Sequence, residues 1–368
     1  MLRNKILPEF LKKELKISRY LKELICTAGI LFILCGATVF LTDPYMYFHK
    51  AWKMEQYFDN AYAMIGGVLA HCEYDTVLFG SSMCQNFTIS EINQTLSCRA
   101  VKATAPGLSA DAFHEFFRKA HGAGNGRFRC ALIGLDLFTY AKDSGPWKEY
   151  AYLYKESLFP AEYLFSTDSL HACWEMLRKN IRYCFSRKAK DPKMDFNTMF
   201  FYRERPQNYG KEPLENNVRS GLNNPPPGGE KVRKNLERFL FSHIRKNPQI
   251  RFEIFLVPYH LYYYCTLEDQ KKLESHLADR EFLAVELARF PNVRLHDFQA
   301  ELPIMTEEKF YKDITHYKKE INLLLLKKIR DYSAPGTPEK VRMNSGIIRA
   351  KVRSSLKKFQ KIQNIPAE

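Results

Sequence analysis

The chain has 368 residues, 45% of them hydrophobic and 14% aromatic, with a formal net charge of +15. That apolar content supports a packed core and excludes wholesale disorder. The charge sits at the ends, +5 in residues 1–22 and +6 in residues 333–368, so a nucleic-acid partner, which needs basic residues on the folded surface, is not expected.

After a basic leader (1–23), Leu24 to Thr42 form 19 consecutive uncharged, mostly apolar positions. A helix needs ~20 such residues to cross the hydrocarbon of a bilayer. Lys12, Lys13, Lys16, Arg19 and Lys22 precede the run, and Asp43 and Pro44 follow it. The positive-inside rule then places the N-terminus in the cytoplasm and everything from residue 45 outside. A cleaved signal peptide would have a shorter apolar region, ~7–15 residues, closed by a small-x-small site. No such site follows Phe40, so the expectation is a single-pass anchor over 24–42 and a domain over 45–332.

Within that domain, five short apolar runs read as buried strands: Thr76–Phe79, Arg99–Ala103, Ala131–Leu135, Phe252–Val257 and Val293–Phe298. Helical stretches lie between them, one opening at Ser109 and a long one within Leu267–Phe290, and Lys318–Tyr332 gives a final helix after the last strand. Strand–helix alternation predicts right-handed crossovers and a doubly wound parallel sheet. Residues 140–250 exceed what a crossover needs and read as a mostly helical insertion, with a break at Asn223–Gly229. Such an insertion serves either as a lid or substrate platform or as a plain structural subdomain. The tail, 333–368, places Ile347, Ile348, Val352, Leu356, Phe359 and Ile362 at helical spacing among basic residues. That pattern fits an anionic membrane surface or docking on the chain's own domain.

Nine cysteines are present, two of them in the apolar run, which leaves an odd seven outside it. None forms a C-x-x-C pair, so neither a zinc ribbon nor a thioredoxin-like site is expected, and no metal or diffusible cofactor is implied.

The strongest chemical signal is the strand Thr76–Phe79 running into Gly80-Ser81-Ser82. A serine at the carboxyl end of a first strand lies on the rim where α/β sheets bind ligands. A serine nucleophile needs a base, and three of the ten histidines carry an Asp three residues upstream: Asp111/His114, Asp168/His171 and Asp313/His316. The first lies in a predicted amphipathic helix, where i,i+3 pairing explains it. The second lies in the insertion, away from any strand end. Asp313/His316 falls between the last strand and the last helix of the domain, where a loop can fold back over the carboxyl edge. There Asp313 can orient His316, and His316 can take the proton of Ser82.

Ser82 after strand one, a glycine after strand two (Ala103-Thr-Ala-Pro-Gly107) and Asp313-x-x-His316 before the last helix together resemble the SGNH/GDSL hydrolase superfamily. The chain is similar to its membrane-anchored branch, associated with bacterial surface-polysaccharide and teichoic-acid acyl modification. The resemblance covers residues 74–107, 130–138 and 250–330. It implies a three-layer α/β/α, flavodoxin-like fold, with Ser82 as nucleophile and the N–H groups of Ser82 and Gly107 as oxyanion donors. It also implies a cell-surface glycan substrate, location at the bacterial cytoplasmic membrane, and a membrane O-acyltransferase partner supplying the acyl group. The sequence departs from the family after strand three, where Gly134-Leu135-Asp136 stands in place of Gly-x-Asn. An ionised Asp cannot donate to an oxyanion, so Asp136 is protonated, or structural, or the hole has two donors. Ser81, Asp136, Tyr259 and His260 are candidate pocket residues, and Tyr259 and Tyr262 to Tyr264 either stack on sugar rings or pack in the core. The reading is an esterase or O-acyltransferase acting through an acyl-serine, with a catalytically silent SGNH-like scaffold as the alternative.

Overall fold

The computed structural model describes residues 9–364 except 125, 156, 158, 187–189, 203–205 and 222–227. The chain begins with α1 (Glu9–Thr42) and α2 (Ala61–His71). It then alternates β1 (Thr76–Gly80), α3 (Ile89–Leu96), β2 (Ala100–Thr104), α4 (Ala110–Ala123) and β3 (Cys130–Leu135). The insertion follows, with α5 (Leu137–Ala141), α6 (Ala161–Leu164), α7 (Thr167–Ser186), α8 (Lys211–Ser220), α9 (Glu230–Leu236) and α10 (Ser242–Lys246). After β4 (Arg251–Leu256) come α11 (Leu261–Asp269) and α12 (Leu273–Leu287). After β5 (Val293–Asp297) come α13 (Leu302–Thr306), α14 (Glu320–Arg330) and α15 (Pro338–Gln363).

The five strands form one parallel sheet in the order β2-β1-β3-β4-β5. Most of their residues are buried and apolar because helices cover both faces, with Lys102, Glu253, His296 and Asp297 among the buried polar exceptions. Val77 and Phe79 face one core cluster and Leu78 the other. Full burial of each such side chain contributes about 1.5–3 kcal/mol. α2 and α4 lie over the first face, and α3, α11, α14 and α15 over the second. All five expected strands are present, with ends displaced by a residue at most points. β1 extends to Gly80 because that residue pairs with both Thr104 and Gly134.

The long helical stretch expected within 267–290 is α12, separated from α11 at Lys271, which adopts a left-handed φ of 56°. The Asn223–Gly229 break lies outside the described residues up to Pro227, and Gly229 (φ 98°) opens α9. The insertion is helical, as its sequence suggested.

The tail resolves into one helix, α15, docked on the domain. Val341, Ile348, Val352, Phe359 and Ile362 are buried, and its polar side anchors it as well. Arg280 and Asp297 form a buried ion pair, with Asn344 donating to Asp297 at 2.9 Å and Arg280 to Ser345 at 3.3 Å. Arg349 pairs with Glu274 and Lys358 with Glu308. Of the two readings of the tail, its apolar face lies against protein. All nine cysteines are unpaired. At the other end, Arg19–Thr42 is long and apolar enough to cross a membrane.

Candidate active site

β1 ends at Gly80, and the next residues form a tight turn in which Ser81 caps a short 3-10 helix, Ser82–Cys84. Cys84 folds back under the strand ends, so that a Cβ on Gly80 or Gly134 would overlap its Sγ. Those glycines let the turn sit close against the sheet, with Ser82 at the carboxyl edge between β2 and β3.

The second contribution comes from the loop between β5 and α14. Tyr311 and Tyr317 pair across its neck, and the Lys312 N–H donates to the His316 carbonyl at 3.1 Å. Neighbouring elements hold this loop in place. The His260 N–H after β4 donates to the Ile314 carbonyl at 3.1 Å, and the Gly210 N–H to the Tyr311 carbonyl at 3.0 Å. Asn217 of α8 accepts the Ile314 N–H at 3.2 Å.

The loop brings His316 Nε2 to 2.8 Å from Ser82 Oγ and His316 Nδ1 to 2.7 Å from Asp313 Oδ2. Asp313 Oδ1 accepts the backbone N–H of His316 at 2.7 Å and that of Thr315 at 2.9 Å, and the Thr315 hydroxyl at 2.9 Å. Burial alone would raise the Asp313 pKa. The hydrogen bond and charge of His316, with the two backbone N–H groups, outweigh it and hold the carboxyl at about 2. The three residues singled out in the sequence are therefore one hydrogen-bonded chain.

The candidate pocket residues Ser81, Asp136, Tyr259 and His260 are all buried. Asp136 accepts the Ser81 hydroxyl on one oxygen and the Tyr259 hydroxyl on the other, tying together the ends of β1, β3 and β4. Burial raises its pKa despite these two hydrogen bonds. Both of its oxygens are thus occupied as acceptors. His260 caps α11, its Nδ1 accepting the Tyr262 N–H at 3.1 Å, and burial lowers its pKa to about 3. Tyr259 and Tyr262 to Tyr264 are core residues, 3% exposed or less. Gly107 is exposed in a left-handed turn (φ 64°) just past β2, the strand next to β1. The other two Asp/His pairs do different things. His114 pairs with His243 at 2.9 Å, and Asp168 and His171 line a separate cavity with Pro44 and Tyr57.

Three residues escaped the sequence reading. Tyr202, from the insertion, places its ring in a T-shaped contact with His316 at 5.7 Å, with the Lys312 ammonium 3.9 Å from the centroid of the same ring. Lys102 is fully buried in β2 and donates to the Gln85 and Phe87 carbonyls at 2.8 and 3.0 Å, just beyond the Ser82 turn. Burial holds its pKa well below the usual lysine value. A charge inside an apolar strand was the available signal for Lys102. Nothing in the sequence around Tyr202 pointed to this site. Thr315, the third, adds its hydroxyl to Asp313.

A cleft of about 460 Å³ opens beside Asp313, walled by Gln207, Asn208, Glu212, Asn216, Asn217 and Lys312 among others. Its lining is rich in carboxamides. Among the described residues no group of three or more His, Cys, Asp or Glu is placed to hold a metal ion.

No family model matches this chain, and no curated protein matches it. One solved structure, whose description names a platelet activating factor from Streptococcus pneumonia, aligns with 74% of this chain and 90% of its own. The identity is 12% and the TM-score 0.39.

Proposed function

We propose that this protein is a membrane-anchored, extracytoplasmic serine esterase or O-acyltransferase of the SGNH type, acting on a cell-surface polysaccharide through an acyl-serine. The observation that carries the reading is the chain Ser82 Oγ–His316 Nε2–His316 Nδ1–Asp313 Oδ2, with links of 2.8 and 2.7 Å, at the carboxyl edge of the sheet.

The chemistry follows from the contacts. An ionised Asp313 accepts the Nδ1 proton, which leaves the lone pair of Nε2 facing Ser82. Ser82 Oγ attacks the acyl carbonyl while Nε2 takes its proton, and Asp313 stabilises the resulting imidazolium. Collapse expels the alcohol, which receives the proton from Nε2, and leaves the acyl-serine. A sugar hydroxyl or water, deprotonated by Nε2, then attacks the ester and restores Ser82. The N–H groups of Ser82 and Gly107 are the oxyanion donors the family resemblance implies, each worth about 10²–10³ in rate. The carboxamide-lined cleft beside Asp313 suits a hydroxyl-rich substrate. A membrane O-acyltransferase supplying the acyl group completes the reading. α1 serves as the anchor, with the basic leader in the cytoplasm.

One observation favours a second reading, a catalytically silent scaffold. Where the family often carries an amide donor, Asp136 has both oxygens occupied by Ser81 and Tyr259. The test is to incubate the full-length protein with p-nitrophenyl acetate and map the product by peptide mass spectrometry. The enzyme reading expects nitrophenol release and an acetyl group on Ser82, both lost in Ser82→Ala. Release no faster than Ser82→Ala, with Ser82 unmodified, supports the scaffold.

A further inference from the structure

The end of α1 is part of the folded domain, and this constrains where the domain sits. Val39 is fully buried, Gly36 and Thr42 are buried on the same stripe, and Thr42 Oγ1 donates to Cys173 Sγ of α7 at 2.9 Å. Lower on α1, a Cβ on Gly36 would lie 2.9 Å from the Phe165 ring. Phe32 stacks on the same ring with centroids 3.6 Å apart and planes 13° from parallel. Phe165 thus stands beside α1 well below its Thr42 end.

The apolar run has no length to spare. Its 19 uncharged residues span about 28 Å as a helix, against about 30 Å of hydrocarbon. If α1 crosses the bilayer, Thr42 lies at the outer boundary. Gly36 then lies about 9 Å beneath it and Phe32 about 15 Å. A tilt of about 20° shortens these depths by less than a tenth. Phe165 touches both residues, so it enters the leaflet with them.

The geometry points to a lipid-inserted element: the segment Phe159–Phe165, including α6, dips into the outer leaflet beside α1. The inference rests on the reading of α1 as a membrane span. Three further features agree with it. Phe159 is 62% exposed and lies 6.1 Å from Phe165, so the protein leaves it for another apolar medium. Trp52 is 63% exposed, stacks on His49 at 4.4 Å and meets Phe40 edge-on at 6.5 Å. That places an aromatic ring about one turn from the Thr42 end, the level of interfacial aromatic belts. Lys50, Lys53 and Lys155 are exposed nearby in the chain, suited to lipid phosphates. Glu162 sets the limit. It is exposed on the same segment, so its carboxylate stays at headgroup level and the phenylalanine rings alone reach hydrocarbon.

The test uses the full-length protein in phosphatidylethanolamine–phosphatidylglycerol liposomes, photolysed with a carbene-generating phenyl diazirine dissolved in the bilayer. Label is expected on peptides from 24–42 and on the peptide holding Phe159 and Phe165. Label confined to 24–42 overturns the inference and leaves the anchor standing. Label on neither overturns the anchor and the inference together. Phe159→Asp, at an exposed position, is expected to lower the label on its own peptide, which still holds Phe165, while 24–42 keeps its label. Undiminished label on that peptide contradicts insertion of Phe159.

Discussion

Asp313 holds His316 at two points: Oδ2 lies 2.7 Å from the imidazole Nδ1, and Oδ1 accepts the His316 backbone N–H at 2.7 Å. One carboxylate therefore fixes both the ring and the peptide that carries it. Asp313→Asn keeps the shape but presents an amide to Nδ1 and favours the wrong tautomer. Turnover of p-nitrophenyl acetate is expected to fall by about 10⁴. An unchanged rate would remove Asp313 from the mechanism.

The same carboxylate makes acid stability testable. Its folded pKa, about 2, lies below the usual 3.8. A depressed carboxyl stabilises the fold above its unfolded pKa and loses that contribution as pH falls through the folded value. The difference corresponds to about 2 kcal/mol. Urea midpoints of wild type and Asp313→Asn should differ at pH 6 and converge as pH falls from 4 toward 2. A gap that is constant with pH contradicts the assignment.

Asp136 joins Ser81 to Tyr259 through its two oxygens. Ser81→Ala and Tyr259→Phe each leave one oxygen of a buried carboxylate without its donor, costing about 1–3 kcal/mol. Because they share one partner, the double variant should depart from additivity by about 0.5–3 kcal/mol. Additive losses would mean that the network is not a unit.

Lys102→Met removes the donor from the Gln85 and Phe87 carbonyls, which follow the Ser82 turn. Loss of about 1–3 kcal/mol in stability is expected, together with slower acylation of Ser82. Full stability with full rate would make Lys102 incidental.

Phe359 is 1% exposed in α15, packed beside Tyr262 at 5.7 Å. Phe359→Ala should cost about 3–5 kcal/mol. A tail lying on lipid rather than on the domain would show no such loss in detergent.

Much of this was legible because local signals agreed with the fold. The five strands are short, mostly apolar runs bounded by turn residues, and both faces of the sheet are covered. Ser82 and His316 were readable because each sits where the chain leaves a strand or enters a helix near the sheet's carboxyl edge. Asp136, Tyr259 and His260 were placed at the right strand ends, yet their burial depends on how three loops close over one another. Tyr202 comes from the insertion, whose path over the site no local pattern records. The amphipathic pattern of α15 is the same whether its partner is lipid or protein. Only the pocket for Phe359, and the buried Arg280–Asp297 pair that Asn344 joins, distinguish the two.

The measurement that bears most directly on the central claim is fluorophosphonate labelling of the full-length protein in liposomes. The full chain is needed because Val39 and Thr42 of α1 are buried in the domain. The account predicts label on Ser82 in the wild type and none in Ser82→Ala or His316→Ala, with all three equally folded by circular dichroism. A folded wild type that takes no label, or label that survives Ser82→Ala, would contradict it.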